Sequence, residues 1–170
     1  ICKWAKKSGY KNYYYISPQI WAWKENRIKT IKNNIDKLYV IFPFEKDYYR
    51  KRHNMETEFY GHQLIEQIDN FNSSNNFLKK NRIKKETEII SLLPGSRAQE
   101  INTMLPIFLT LKKHFQNYKF IVAGVKNVKE NVYIAAIELG VKVIYNQTYD
   151  LLSNSKFAIV TSGTASLECA

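Results

Sequence analysis

From residue 88 onward, short runs of isoleucine, valine, leucine and aromatic residues alternate with longer stretches in which apolar positions recur every three or four residues. The short runs predict strands at 88–93, 118–123, 141–145 and 157–160. The longer stretches predict helices at 97–115, 130–139 and 149–154, the first carrying the stripe Ile101, Met104, Leu105, Phe108 and Leu111. The first third has the same alternation with less regular spacing. Strands are expected at 13–16, 38–42 and 57–60 and a short helix at 45–52. Ser17-Pro18 reads as N-cap and first residue of a helix reaching about residue 34, with Ile28, Ile31 and Ile35 at helical spacing. Between the halves, 67–85 contains the polar, turn-rich DNFNSSNN and the basic FLKKNRIKK, and is expected to be a linker. Strand and helix alternating at these lengths imply βαβ units, hence an α/β fold with parallel sheets flanked by helices.

At two places an apolar strand stops at a glycine turn directly before a helix. LLPGSRAQE follows the strand at 88–93, and TSGTASLE follows FAIV. In an open parallel sheet such turns lie at the carboxyl ends of the strands, where ligands collect. A helix start presents unpaired N–H groups and partial positive charge to an anion. Gly95 and Gly163 would let backbone approach a ligand. Ser96, Ser162 and Thr164 offer hydroxyls, and Arg97 offers a planar fork for phosphate. Each motif also has a plainer reading: Ser96 with Gln99 forms a capping box, and Ser162 or Thr164 could simply cap a helix.

The 170 residues, 45% hydrophobic, suffice for one ordinary domain or two small ones. A formal net charge of +11 favours anionic partners without choosing among phosphate, nucleic acid and acidic membrane. KENRIKTIKNNIDK and FLKKNRIKK are basic clusters, but neither carries an RNA-binding signature, so nucleic acid is not the expected partner. No apolar run reaches the roughly 18–20 residues of a membrane span, and the first residues lack a signal-peptide centre. Cys2 and Cys169 read as reduced thiols, which points to a cytoplasmic protein. No P-loop, GxGxxG, HExxH or CxxC motif occurs. The scattered His53, His62 and His114 read as surface or turn residues, so no metal site is expected. Trp21 and Trp23 read by default as core or interface aromatics. Because it starts at Ile1 rather than Met and stops shortly after Leu167, the chain is expected to be part of a longer protein.

In order along the chain, YYISPQIWAWKENRIK, IFPFEKDYY, FYGHQL, LLPGSRAQEI and TSGTASLE together resemble the lipid-A-disaccharide synthases, inverting glycosyltransferases of the GT-B type. The resemblance implies two Rossmann-like domains, both incomplete in this chain. Residues 1–66 would close the N-terminal, acceptor-side domain, 67–85 would link, and 86–170 would begin the C-terminal, nucleotide-sugar-binding domain. It implies a UDP-linked 2,3-diacylglucosamine donor and a 2,3-diacylglucosamine 1-phosphate acceptor, no cofactor, and peripheral contact with the inner membrane from the cytoplasmic side; an oligomer is left open. Gly95, Ser96, Arg97, Ser162, Gly163 and Thr164 would form the donor site, with Glu168 accepting from ribose hydroxyls. Trp21, Trp23 and Arg27 would face the acceptor. The general base is expected upstream of Ile1, which would leave the isolated chain without turnover. Another UDP-sugar enzyme of the class, a UDP-N-acetylglucosamine 2-epimerase or a MurG-like transferase, is the alternative. So is a non-catalytic basic module for nucleic acid or anionic lipid.

Overall fold

A parallel sheet forms the centre of each of two units, Ile1–Asp69 and Asn70–Ala170. The computed structural model describes residues 1–169, with Ala170 and the side chain of Thr164 outside that description.

The first unit runs α1 (Cys2–Lys7), β1 (Tyr13–Tyr15), α2 (Ile28–Asn34), β2 (Lys37–Val40), α3 (Pro43–His53), β3 (Glu58–Phe59) and α4 (Gln63–Asp69). Its strands pair in the order β1–β2–β3, all parallel. Ile31 and Ile35 pack with Leu38, Val40, Tyr49 and Ile20, so the helical isoleucine spacing does mark a buried face. The helix expected from Ser17, however, begins only at residue 25, as a single 3-10 turn before α2. Ile16 at φ +63° and Lys24 at φ +54° bracket a run of turns, closed by bonds such as Ile20 N–H to the Pro18 carbonyl at 2.7 Å. Left-handed backbone interrupts a helix, and for β-branched Ile16 it is a true outlier. Ser17 caps nothing there; its hydroxyl turns toward Glu45.

The second unit contains α5 (Phe77–Lys80), β4 (Ile89–Leu93), α6 (Ala98–Thr110), β5 (Lys119–Gly124), α7 (Ile134–Glu138), β6 (Lys142–Tyr145), α8 (Thr148–Ser153), β7 (Phe157–Val160) and α9 (Thr164–Cys169). The all-parallel order is β6–β5–β4–β7. Successive strands therefore step outward from β4 in one direction and then return to its other side, so the order reverses between β4 and β7. Every residue of β4 is buried, as expected of a strand covered on both faces. Ile90, Leu92, Phe120 and Val122 meet Ile101, Leu105 and Phe108 of α6 on one face. Ile89, Leu93, Ile121 and Ala123 meet Phe77, Ile83 and Leu151 on the other.

Phe77 and Ile83 fall inside the stretch expected to be a linker. They are 1% and 6% exposed, so the polar sequence around them conceals a segment that closes one face of the second sheet. Among the described residues no helix is long and apolar enough to cross a membrane. Phe77→Ala should cost about 3 kcal/mol or more through lost burial and a residual cavity. Urea denaturation checks this, and a loss below about 1 kcal/mol would mean that 77–83 lies on the core without belonging to it.

Candidate functional site

The turn after β4 and the turn after β7 stand side by side, because those strands pair in register from Ile90 with Phe157 to Leu93 with Val160. One further bond, Thr161 N–H to the Leu93 carbonyl at 3.0 Å, continues the pairing into the turns. Between them opens a crevice of about 350 Å³ at the point where the strand order reverses. In doubly wound sheets that reversal is where ligands sit. Gly95, Ser96 and Arg97 line one side and Ser162, Gly163 and Glu168 the other, so the structure brings these sequence-expected residues together. Thr164 begins α9 beside them, but its side chain lies outside the described residues.

The two glycines serve different ends. Gly163, at φ +150°, has no atom of the described residues beyond its chain neighbours within 4 Å of where a Cβ would stand, so its missing side chain leaves open space. Gly95, at φ +120°, does not open the way to a ligand as expected. A Cβ there would lie 2.6 Å from Glu100 Oε2 and 2.7 Å from Glu100 Cβ, so Glu100 fills the room.

Glu100 is a residue that sequence reasoning missed. Taking Ser96 as the cap selects Gln99 as its partner, but the helix starts one residue later. Arg97 is the N-cap, with extended φ −116° and ψ 146°, which puts Glu100 at the third helical position. Its Oε2 accepts from Ser96 N–H at 3.0 Å and from Arg97 N–H at 3.3 Å. Its Oε1 accepts from Arg97 Nη1 at 2.8 Å. These bonds, the Ser96 N–H first and the Arg97 side chain next, hold the Glu100 carboxyl below its ordinary value. On the opposite side, Ser166 Oγ donates to the Gly163 carbonyl at 2.6 Å, closing that turn locally. Thr148 and Thr161 also line the crevice, and the Thr161 hydroxyl is buried with no hydrogen-bond partner among the described residues. The sequence carried no signal for either threonine, since only strand order brings them here.

Glu168 faces the same crevice, and burial pushes its carboxyl above the ordinary range. Tyr149 is raised by burial and then by the charge of Glu168.

Trp21, Trp23 and Arg27 belong to the first unit, whereas the residues lining the crevice belong to the second. Trp21 and Trp23 are 39% and 58% exposed, so neither is a core aromatic. Trp21 Nε1 donates to Glu45 Oε1 at 3.1 Å, and its ring stands edge-on to Phe44 at 5.0 Å. Trp23 instead carries Lys24 at 4.5 Å and Arg27 at 5.1 Å over its ring. Glu45 is fully buried, accepting also from Ile41 N–H at 3.1 Å, Phe42 N–H at 3.0 Å and Ser17 Oγ at 3.4 Å. Nothing in the spacing of FPFEK announced a buried carboxylate, although glutamate at the third helical position after a strand is the available signal. Among the described residues no group of three His, Cys, Asp or Glu side chains is arranged to hold a metal ion.

Two parallel α/β units, the second with a crevice at its strand-order reversal, define a fold of two Rossmann-like units. Sucrose-phosphate synthase from Thermosynechococcus elongatus has a similar fold, with a TM-score of 0.56 at 13% identity, covering 98% of this chain and 50% of that one. The chain belongs to the lipid-A-disaccharide synthetase family, whose profile matches residues 1–170. It is 43% identical to lipid-A-disaccharide synthase 1 of Legionella pneumophila (strain Paris), over 100% of this chain and 46% of that relative. It is 36% identical to lipid-A-disaccharide synthase of Sulfurihydrogenibium sp. (strain YO3AOP1), over 100% of this chain and 49% of that relative. The chain thus spans about half the length of the curated relatives it matches.

The raised Glu168 carboxyl gives a pH prediction. The folded state holds this proton more tightly than the unfolded chain, so its contribution is fully present below the ordinary glutamate pKa and is lost as pH rises through the folded value. Relative to wild type, Glu168→Gln should lose less stability on going from about pH 4 to pH 7. Urea midpoints across that range test it, and parallel curves for the two proteins would contradict it.

Proposed function

We propose that this chain supplies part of the acceptor side and part of the nucleotide-sugar side of a lipid-A-disaccharide synthase. The whole protein would transfer the sugar of UDP-2,3-diacylglucosamine to 2,3-diacylglucosamine 1-phosphate. In that reaction an acceptor hydroxyl oxygen forms a bond to the donor's anomeric carbon with inversion. The bond from that carbon to the diphosphate breaks, the hydroxyl proton passes to a base, and UDP departs. Charge grows on the diphosphate as it leaves, and fixed cationic or N–H donors aimed at it lower the barrier. Arg97 and the Ser162–Gly163 turn are the groups available for this, and Glu168 is suited to accept from ribose hydroxyls. The observation that carries the reading is the meeting of both glycine turns in one crevice at the strand-order reversal.

On this reading the second unit binds the donor and the first unit serves the acceptor. The first unit's exposed tryptophans, one bracketed by Lys24 and Arg27, suit an amphiphilic acceptor and peripheral contact with an anionic membrane surface.

Calorimetric titration with UDP at two salt concentrations tests the donor site. Saturable binding is expected, weakened about tenfold or more by Arg97→Ala through loss of a charge-assisted contact. Affinity that collapses with salt and ignores Arg97→Ala would instead favour a general polyanion-binding surface.

A further inference from the structure

The site as read from sequence relied on the N-terminus of α6 to attract phosphate. In the folded chain that terminus already has an anion, because Glu100 engages both Ser96 N–H and Arg97 N–H. A phosphate placed there would compete for the Ser96 and Arg97 N–H donors and would stand beside a carboxylate of like charge. Gly95 supports the same arrangement, since the volume its missing side chain leaves is taken by Glu100. Arg97 differs. One guanidinium nitrogen meets Glu100, while the side chain as a whole is 80% exposed and its fork has further N–H donors.

We propose that Glu100 is a positioning residue of the crevice: its carboxylate closes the first turn of α6 and holds the Arg97 guanidinium, so that a ligand's phosphate is met by Arg97 and the Ser162–Gly163 turn rather than by the backbone of α6. The proposal rests on the nucleotide reading above and names which of its groups take the anion. The carboxylate orients one cation and at the same time occupies the Ser96 and Arg97 N–H groups, which biases where along the crevice a diphosphate lies.

The test combines UDP titrations of the 170-residue chain, Glu100→Gln, Arg97→Ala and the double variant with ¹⁵N relaxation of the Arg97 Nε–H in the unliganded proteins. Glutamine keeps an oxygen for the two backbone N–H groups, and thermal melts identify any variant that fails to fold. Glu100→Gln should weaken UDP binding about tenfold, the size of one well-placed charge-assisted contact. The double variant should bind no more weakly than Arg97→Ala, and the Arg97 Nε–H should become more mobile in Glu100→Gln. Tighter UDP binding by Glu100→Gln would overturn the proposal by making Glu100 a competitor of the ligand. An unchanged affinity with a lower melting temperature would overturn it by reducing Glu100 to a helix cap. Absence of UDP binding by the folded wild-type chain would refute the nucleotide reading, and the relaxation data would then decide the role of Glu100 alone: equal Arg97 mobility in both proteins would overturn it.

Discussion

Parallel pairing of β4 with β7 decides where the two glycine turns of this chain end. Leu93 lies opposite Val160, the Ser91 hydroxyl donates to the Phe157 carbonyl at 3.3 Å, and the ladder runs on to Thr161. Turns that are about seventy residues apart in sequence thereby open onto one crevice. If β7 instead added beyond β6, the same motifs would lie at opposite ends of the sheet. The burial of β4 on both faces makes the arrangement firm, since its apolar residues need cover from α6 on one side and from Phe77, Ile83 and Leu151 on the other.

Both units use a glutamate at the third helical position to finish a strand-to-helix turn. Glu45 reaches back to Phe42 N–H and Glu100 to Arg97 N–H. Their surroundings give the device different consequences. Glu45 is buried, where a carboxylate is tolerated only with its oxygens satisfied, and it ties the turn after β1 to the turn after β2 through Ser17 and Trp21. Glu100 lies at the crevice, where its charge also determines what the neighbouring groups can bind.

Much of this was legible in the sequence. The strands of the second unit stand within a residue or two of their expected places, because runs such as EIISLL and KFIVAG have one face for each side of a covered sheet. The βα alternation placed both glycine motifs at the carboxyl ends of parallel strands, while the strand order β6–β5–β4–β7 is what sets them side by side. What escaped notice depended on contacts distant in sequence or on single backbone angles. The helix expected from Ser17 failed because Ile16 and Lys24 are left-handed, which their side chains do not announce. Phe77 and Ile83 looked like linker residues because the lysines and asparagines around them dominate the local composition. Gly95 was read as space for a ligand, and only the fold shows Glu100 in that space.

The central claim is that the crevice between β4 and β7 receives a diphosphate. Its most direct test is amide chemical-shift mapping on the ¹⁵N-labelled chain as UDP is added. The account predicts saturable shifts concentrated at Gly95–Arg97, Thr161–Gly163 and the start of α8, with the basic stretch at 77–85 little changed. Shifts spread over the lysine-rich surface, or absent from both glycine turns in a folded sample, would contradict it.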